Sequence, residues 1–257
     1  MLMVKFFLIL FGYVLILTCQ AQLLTDNYYS KVVVEMGTEK IISVDSIYID
    51  TLVLKDGSKL KFLQHSILVS EYAYIGDKCE LNSHGSDGLN GKNFMDMNGE
   101  DGTDGKNLTL IMHFKELGNL NINTSGGRGG NGSRGRSGYN GEHGVSGGDG
   151  QKGASGGNGG KGGNLTMIYS YEGFIPIFNS ERDNGIQFDH AGGTPGLGGL
   201  GGRGGRGGEA LTRTEYSGGI SRVITVGQPG RNGWNGRNGS AGRSGKSGEL
   251  ILRRIQD

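Results

Sequence analysis

Residues 126–163 read GGRGGNGSRGRSGYNGEHGVSGGDGQKGASGGNGGKGG, with glycine at every third position from Gly126 to Gly162 and no break in phase. A flexible Gly/Ser linker needs glycine in quantity but has no reason to keep register. A strict three-residue period requires a three-residue turn with one face that admits no side chain. The extended left-handed helix has that period, rises about 3.1 Å per residue and makes no internal hydrogen bonds. Its N–H and C=O groups point outward and must be bonded by neighbouring segments. Glycine loses more backbone entropy on ordering than any other residue, so the 53 glycines of this chain stay ordered only if those groups are paired.

The period recurs from Gly193 to Gly208 and from Gly227 to Gly248, with shorter stretches at Gly85, Gly88, Gly91 and at Gly99, Gly102, Gly105. The chain therefore reads as a repeat protein. On these Gly-X-Y runs it resembles the collagen-like repeat family, and equally proteins built on bundled polyglycine II helices, such as phage tail-fibre tip adhesins and a glycine-rich springtail antifreeze protein. A collagen triple helix needs three chains and draws stability from imino acids, whereas this chain has only Pro176, Pro195 and Pro229. Polyglycine II arms bundled within one chain are the expectation, ahead of a triple helix or a disordered tether, and a monomer is preferred to a trimer.

Short apolar alternations flank the runs: Leu120–Asn123 and Asn164–Tyr169, Ile186–Phe188, Val223–Val226, and Leu250–Leu252. Such alternation reads as half-buried strand. Further strands are expected at Val32–Val34, Ile41–Val44, Ile47–Ile49, Leu52–Leu54, Leu60–Phe62, Ile67–Val69 and Tyr72–Ile75. The predicted fold is all-β: a parallel β-helix or solenoid, with a β-sandwich as the alternative, carrying inserted glycine arms. A signal peptide (1–21) precedes an N-terminal β region (22–84) and a β scaffold (85–257) with arms at 85–106, 126–163, 192–208 and 227–248. If the strands flanking a run are neighbours, a run spanning roughly 115 Å must turn back on itself. Doubled glycines in 192–208 predict that this run fills the bundle interior, and single glycines in 227–248 place that run outside.

Lys5 followed by the apolar run Phe6–Leu17 and small residues before Gln22 has the form of a secretory signal. Export to the periplasm, cell surface or medium is expected, with lipidation at Cys19 a weaker alternative. Cys79 is then the sole cysteine, no further stretch is long enough to span a membrane, and no cytosolic nucleic acid is an expected partner.

Net charge is +1, but unevenly spread. Asp87, Asp96, Glu100, Asp101 and Asp104 make the first arm acidic, and eleven cations from Arg128 to Lys246 make the later arms basic. Mutual attraction of the arms is one reading, and an anion-attracting face is the other. Asp96, Glu100, Asp101 and Asp104 have calcium-loop chemistry without its spacing, and solvated turn carboxylates are the expectation there. The five histidines show no paired ligand spacing, no catalytic set can be nominated, and neither an enzyme nor a cofactor is expected. Trp234 and Tyr139 stand in exposed triplet positions, and with Arg231, Arg237, Arg203 and Arg206 they form the candidate binding surface.

The expected function is a non-enzymatic structural or adhesion protein that presents a rigid glycine-helix surface to an envelope polysaccharide or an outer-membrane protein. The alternatives are an accessory subunit of a secretion or gliding complex, an ice-binding protein, and a polysaccharide-active β-helix enzyme.

Overall fold

A computed structural model describes residues 22–92 and 95–255. The signal-like segment and Cys19 lie outside these residues. The described residues form fifteen strands and no helix: β1 Gln22–Leu24, β2 Tyr28–Val34, β3 Glu39–Ile42, β4 Ser46–Leu54, β5 Lys59–Phe62, β6 Ser66–Ile75, β7 Cys79–Asn82, β8 Leu108–Leu117, β9 Asn119–Asn123, β10 Leu165–Tyr171, β11 Ile177–Phe178, β12 Gly185–Asp189, β13 Thr212–Ser217, β14 Ile220–Thr225 and β15 Leu250–Arg254. A seven-stranded sheet has the order β1-β3-β5-β7-β9-β12-β11, and a six-stranded sheet has the order β15-β10-β8-β6-β4-β2. Every pairing in both is parallel.

Parallel sheets are stable when apolar cover is continuous. Here both sheets feed one core, in which Ile42, Leu60, Leu81, Leu120 and Ile186 of one sheet join Leu52, Leu68, Leu110, Phe114 and Met167 of the other. Burying each such side chain contributes about 1.5–3 kcal/mol. Cys79 is fully buried in this core, its thiol 3.7 Å from the Ser58 hydroxyl. Burial raises the thiol pKa.

Two pairs of expected strands merge. Ile47–Ile49 and Leu52–Leu54 are one strand, β4, and Ile67–Val69 and Tyr72–Ile75 are one strand, β6. Between buried Ile49 and Leu52, both Asp50 and Thr51 turn away from the core, as Glu71 and Tyr72 do between buried Ser70 and Ala73. Two consecutive outward residues break the alternation but leave the β4–β6 pairing in register, with Thr51 opposite Tyr72, while β6 shifts register against β8 between Ser70 and Ala73.

The glycine runs leave and return at one corner. The links β3 to β4 and β5 to β6 are short, whereas β7 to β8, β9 to β10 and β12 to β15 carry the three arms. Each arm is a pair of legs running out and back. In the second arm Gly148, Gln151, Ala154, Gly157 and Gly160 donate N–H to Tyr139, Arg136, Ser133, Gly130 and Gly127, an antiparallel fold-back about the turn at Glu142–Val145. In the third arm Gly230, Gly233, Gly236 and Gly239 donate to Gly208, Gly205, Gly202 and Gly199. The runs 192–208 and 227–248 are thus two legs of one arm. The segment Val223–Val226 does not enter the scaffold, because β13 and β14 form an antiparallel hairpin at the arm's far end.

The arms stack through further bonds at every third residue. Gly85, Gly88 and Gly91 donate to Ser125, Arg128 and Asn131; Gly126, Gly129 and Gly132 donate to Ala191, Thr194 and Leu197; Gly147, Gly150 and Gly153 donate to Arg231, Trp234 and Arg237. One layer holds the outgoing legs 85–91, 126–141 and 193–208. The other holds the returning legs 99–105, 147–162 and 230–248.

The second glycine row of a leg appears where another leg lies against it. A Cβ at Gly127 or Gly130 would collide with the Ser86 or Leu89 carbonyl of the first arm. At the next equivalent position Ser133 is buried against the first arm's tip, where it exchanges hydrogen bonds with Met97, and beyond that reach the positions are Arg136 and Tyr139. The interior expectation needs correction on this point. Legs 126–141 and 147–162 are each bonded to four others, while leg 193–208 is bonded to three. Its doubled glycines face 126–141 and 230–248, and its third row, with Thr194, Leu197, Leu200, Arg203 and Arg206, is exposed. Doubling counts the sides approached by backbone and not depth. The outer placement of 227–248 agrees with the structure.

A methyl group at Gly199 would meet the Ser133 carbonyl and one at Gly157 the Glu100 carbonyl. Gly199→Ala and Gly157→Ala are each expected to destabilise the protein by about 2 kcal/mol or more in a urea melt, while Ala241→Ser on the exposed row changes stability by less than about 0.5 kcal/mol.

Candidate binding surface of the glycine bundle

The glycine positions make the backbone bonds, which leaves two of three residues per triplet for other work. The residue just before a glycine is often Asp or Asn, and its side chain accepts a second backbone N–H from the next leg. Asp87 takes the Arg128 N–H at 2.7 Å, Asp101 the Asn158 N–H at 2.6 Å, Asp104 the Lys161 N–H at 2.7 Å and Asp149 the Trp234 N–H at 2.7 Å. Asparagines do the same, with Asn232, Asn235 and Asn238 accepting from Gly207, Gly204 and Gly201. Some bonds form relays across three legs: the Asn158 N–H donates to Asp101, and the Asn158 side-chain Oδ1 accepts from the Arg243 N–H. Charge-assisted bonds of this kind are shorter than neutral ones.

These bonds decide the acidic cluster. Asp101 and Asp104 point at successive N–H groups of leg 147–162, and Glu100 reaches the Leu89 N–H at 3.4 Å. Asp96 sits in a turn with φ 54°. Among the described residues no group of three or more His, Cys, Asp or Glu side chains converges as a metal site. Of the four calcium candidates, Glu100, Asp101 and Asp104 are hydrogen-bond acceptors of the bundle.

The cations fare differently. The expectation that acidic and basic arms pair is not met by the ion pairs of the described residues, which are Lys55–Glu35, Lys59–Glu80, His113–Glu172, Lys115–Glu172 and Arg213–Glu215. None of Lys152, Lys161, Arg203, Arg206, Arg231, Arg237, Arg243 or Lys246 takes part in them. Asp87, Asp101, Asp104 and Asp149 instead place an oxygen on a backbone N–H of the next leg.

Of the sequence candidates, Arg231, Trp234 and Arg237 lie on one face, in one row of leg 230–248, with Trp234 81% exposed. A step of three residues is roughly 9 Å. Arg203 and Arg206 lie on the opposite face, on leg 193–208. Tyr139 is exposed near the second arm's tip, beside Gly148, and so belongs to neither row. The hairpin at the third arm's end adds an apolar feature unread in the sequence: Tyr216, Ile220 and Val223 are exposed on both of its faces.

The strands carry two polar grooves that sequence reading missed, since their residues meet only through the parallel register. On the outer face of the six-stranded sheet, His113 Nδ1 lies 2.6 Å from the Ser170 hydroxyl and His113 Nε2 lies 4.0 Å from Glu172, which also pairs with Lys115; the Tyr72 ring stands edge-on to His113. Ser170 is 9% exposed and sits within a continuous parallel ladder. The two side chains form a cross-strand polar pair set by the β8–β10 register. On the other sheet, Lys59, Lys78, Glu80, Asn121, Glu181 and Asp183 line a polar groove in which Lys59 and Glu80 pair at 2.9 Å.

The chain matches no protein-family model, and neither a curated protein nor a solved structure is detectably similar to it.

Asp101→Ala is expected to destabilise the protein by about 1 kcal/mol, because the Asn158 N–H loses its acceptor, while Asp101→Asn, which keeps the acceptor, stays near wild type in the same melt. A hydrogen bond from Lys115, and then its charge, hold the Glu172 carboxyl below its ordinary pKa. The interaction is present above the ordinary glutamate pKa of about 4.3 and is lost as pH falls through the lower folded value. Glu172 should therefore titrate below that value by NMR and return to it in Lys115→Met.

Proposed function

We propose that the chain is a non-enzymatic display scaffold, in which a parallel β-solenoid carries polyglycine II legs as a rigid surface for adhesion or assembly at the cell envelope or outside the cell. One observation carries this reading: the legs bond to one another at every third residue, and the remaining rows face outward with long charged and aromatic side chains. A flexible tether would have no use for doubled glycine rows that end where the neighbouring leg ends. The alternation of strands between two parallel sheets around one core supports the solenoid. Export, suggested by the N-terminal segment, is consistent with a bundle that needs no disulfide.

A second reading, an accessory subunit of a larger envelope assembly, draws on the β13–β14 hairpin. Two-stranded hairpins are marginal alone, and this one exposes Tyr216 and Ile220 at the end of the third arm, where a protein partner would find an apolar tip.

Sedimentation velocity combined with a circular dichroism melt tests the main reading. A compact monomer with one cooperative transition is the expected result. An expanded monomer with no transition assignable to the legs would reduce the arms to tethers, and a trimer would restore the collagen reading.

A further inference from the structure

We propose that the face formed by the returning legs binds an anionic polysaccharide, laid along leg 230–248 and clasped by paired cations. The inference rests on the display reading above and names the ligand class of that surface.

The register of the legs sets like charges side by side. Gly153 donates its N–H to the Arg237 carbonyl at 2.9 Å and Gly162 to the Lys246 carbonyl at 2.8 Å, while the Trp234 and Arg243 N–H groups donate to Asp149 and Asn158. Stepping by three residues, Lys152 lies beside Arg237 and Lys161 beside Lys246. Both pairs are exposed, and neither enters an ion pair among the described residues. Like charges set opposite one another destabilise a fold, so this arrangement costs the isolated protein stability that an external anion would return. The neighbouring acids Asp104 and Asp149 accept the Lys161 and Trp234 N–H groups and make no ion pair with these cations among the described residues.

The two pairs lie nine residues apart along the legs, roughly 28 Å, with Arg243 between them and Arg231 beyond. A small anion cannot bridge that distance, whereas a polymer with repeating negative charge can. Trp234, one triplet from Arg237, supplies an aromatic face for a sugar ring. A single-stranded nucleic acid would call for successive aromatic platforms, and this row has only one.

The test measures binding of polygalacturonate to the protein by calorimetry at several salt concentrations, with fully methyl-esterified polygalacturonate as the uncharged control and a single-stranded oligonucleotide as the competing polyanion. Polygalacturonate should bind with an affinity that falls steeply with salt, and the ester should not bind. The double variant Lys152→Gln, Lys246→Gln should weaken binding at least tenfold yet melt at the same or a higher temperature, since it relieves repulsion. Trp234→Ala should weaken binding several-fold without changing the salt dependence. Absence of salt-dependent binding, unchanged affinity of the double variant, or tighter binding of the oligonucleotide would each overturn the proposal. A cooperative melt in the same sample separates its failure from failure of the scaffold itself.

Discussion

Everything outside the strand core depends on one contact: a glycine N–H donating to a carbonyl of the next leg, at a separation that a Cβ would destroy. Gly205 illustrates it, donating to the Gly148 carbonyl while a methyl in its place would strike the Tyr139 carbonyl. Extended legs have no internal bonds, so each is ordered only through its neighbours. The bundle is therefore an all-together structure whose glycines must absorb a large loss of backbone entropy. The offset is a backbone N–H bonded to a neighbouring leg at every third residue, strengthened where Asp and Asn side chains accept a second N–H.

That second set of bonds has a consequence for charge. A carboxylate in a leg serves the backbone first, since an unpaired N–H inside a bundle is costly. Arginine and lysine side chains carry only donors and cannot accept a backbone N–H. Among the described residues the acids of the first arm make no ion pair with Lys152, Lys161, Arg231, Arg237, Arg243 or Lys246, and the returning face keeps its positive row. Composition suggests attraction between the arms but does not reveal which carboxylate oxygens the backbone has already claimed.

The strand core follows a separate logic. Its inward rows, such as Leu108, Leu110 and Met112 beside Leu165 and Met167, could be read from alternation. The outward doublets Asp50–Thr51 and Glu71–Tyr72 could not, because a local break in period looks like the end of a strand. His113 and Ser170, 57 positions apart, meet through the parallel register of β8 and β10. Val223–Val226 alternates like a scaffold strand, yet pairs within its own hairpin, since alternation states that a face is available and not what covers it.

Taken alone, the sequence determined that the chain is all-β, that its glycine runs obey a three-residue period, and that the last run lies outside, because period and steric size are properties of each segment. It even carried a trace of the first arm's length, in the change from Gly127, Gly130 and the small Ser133, which still meets Met97, to Arg136 and Tyr139. Only the tertiary structure decided that 192–208 and 227–248 are legs of one arm, that the second arm holds the centre, and that Lys152 meets Arg237. Those are facts of register between distant segments, and register is set by backbone bonds that are nearly identical at every triplet, so no single residue announces it.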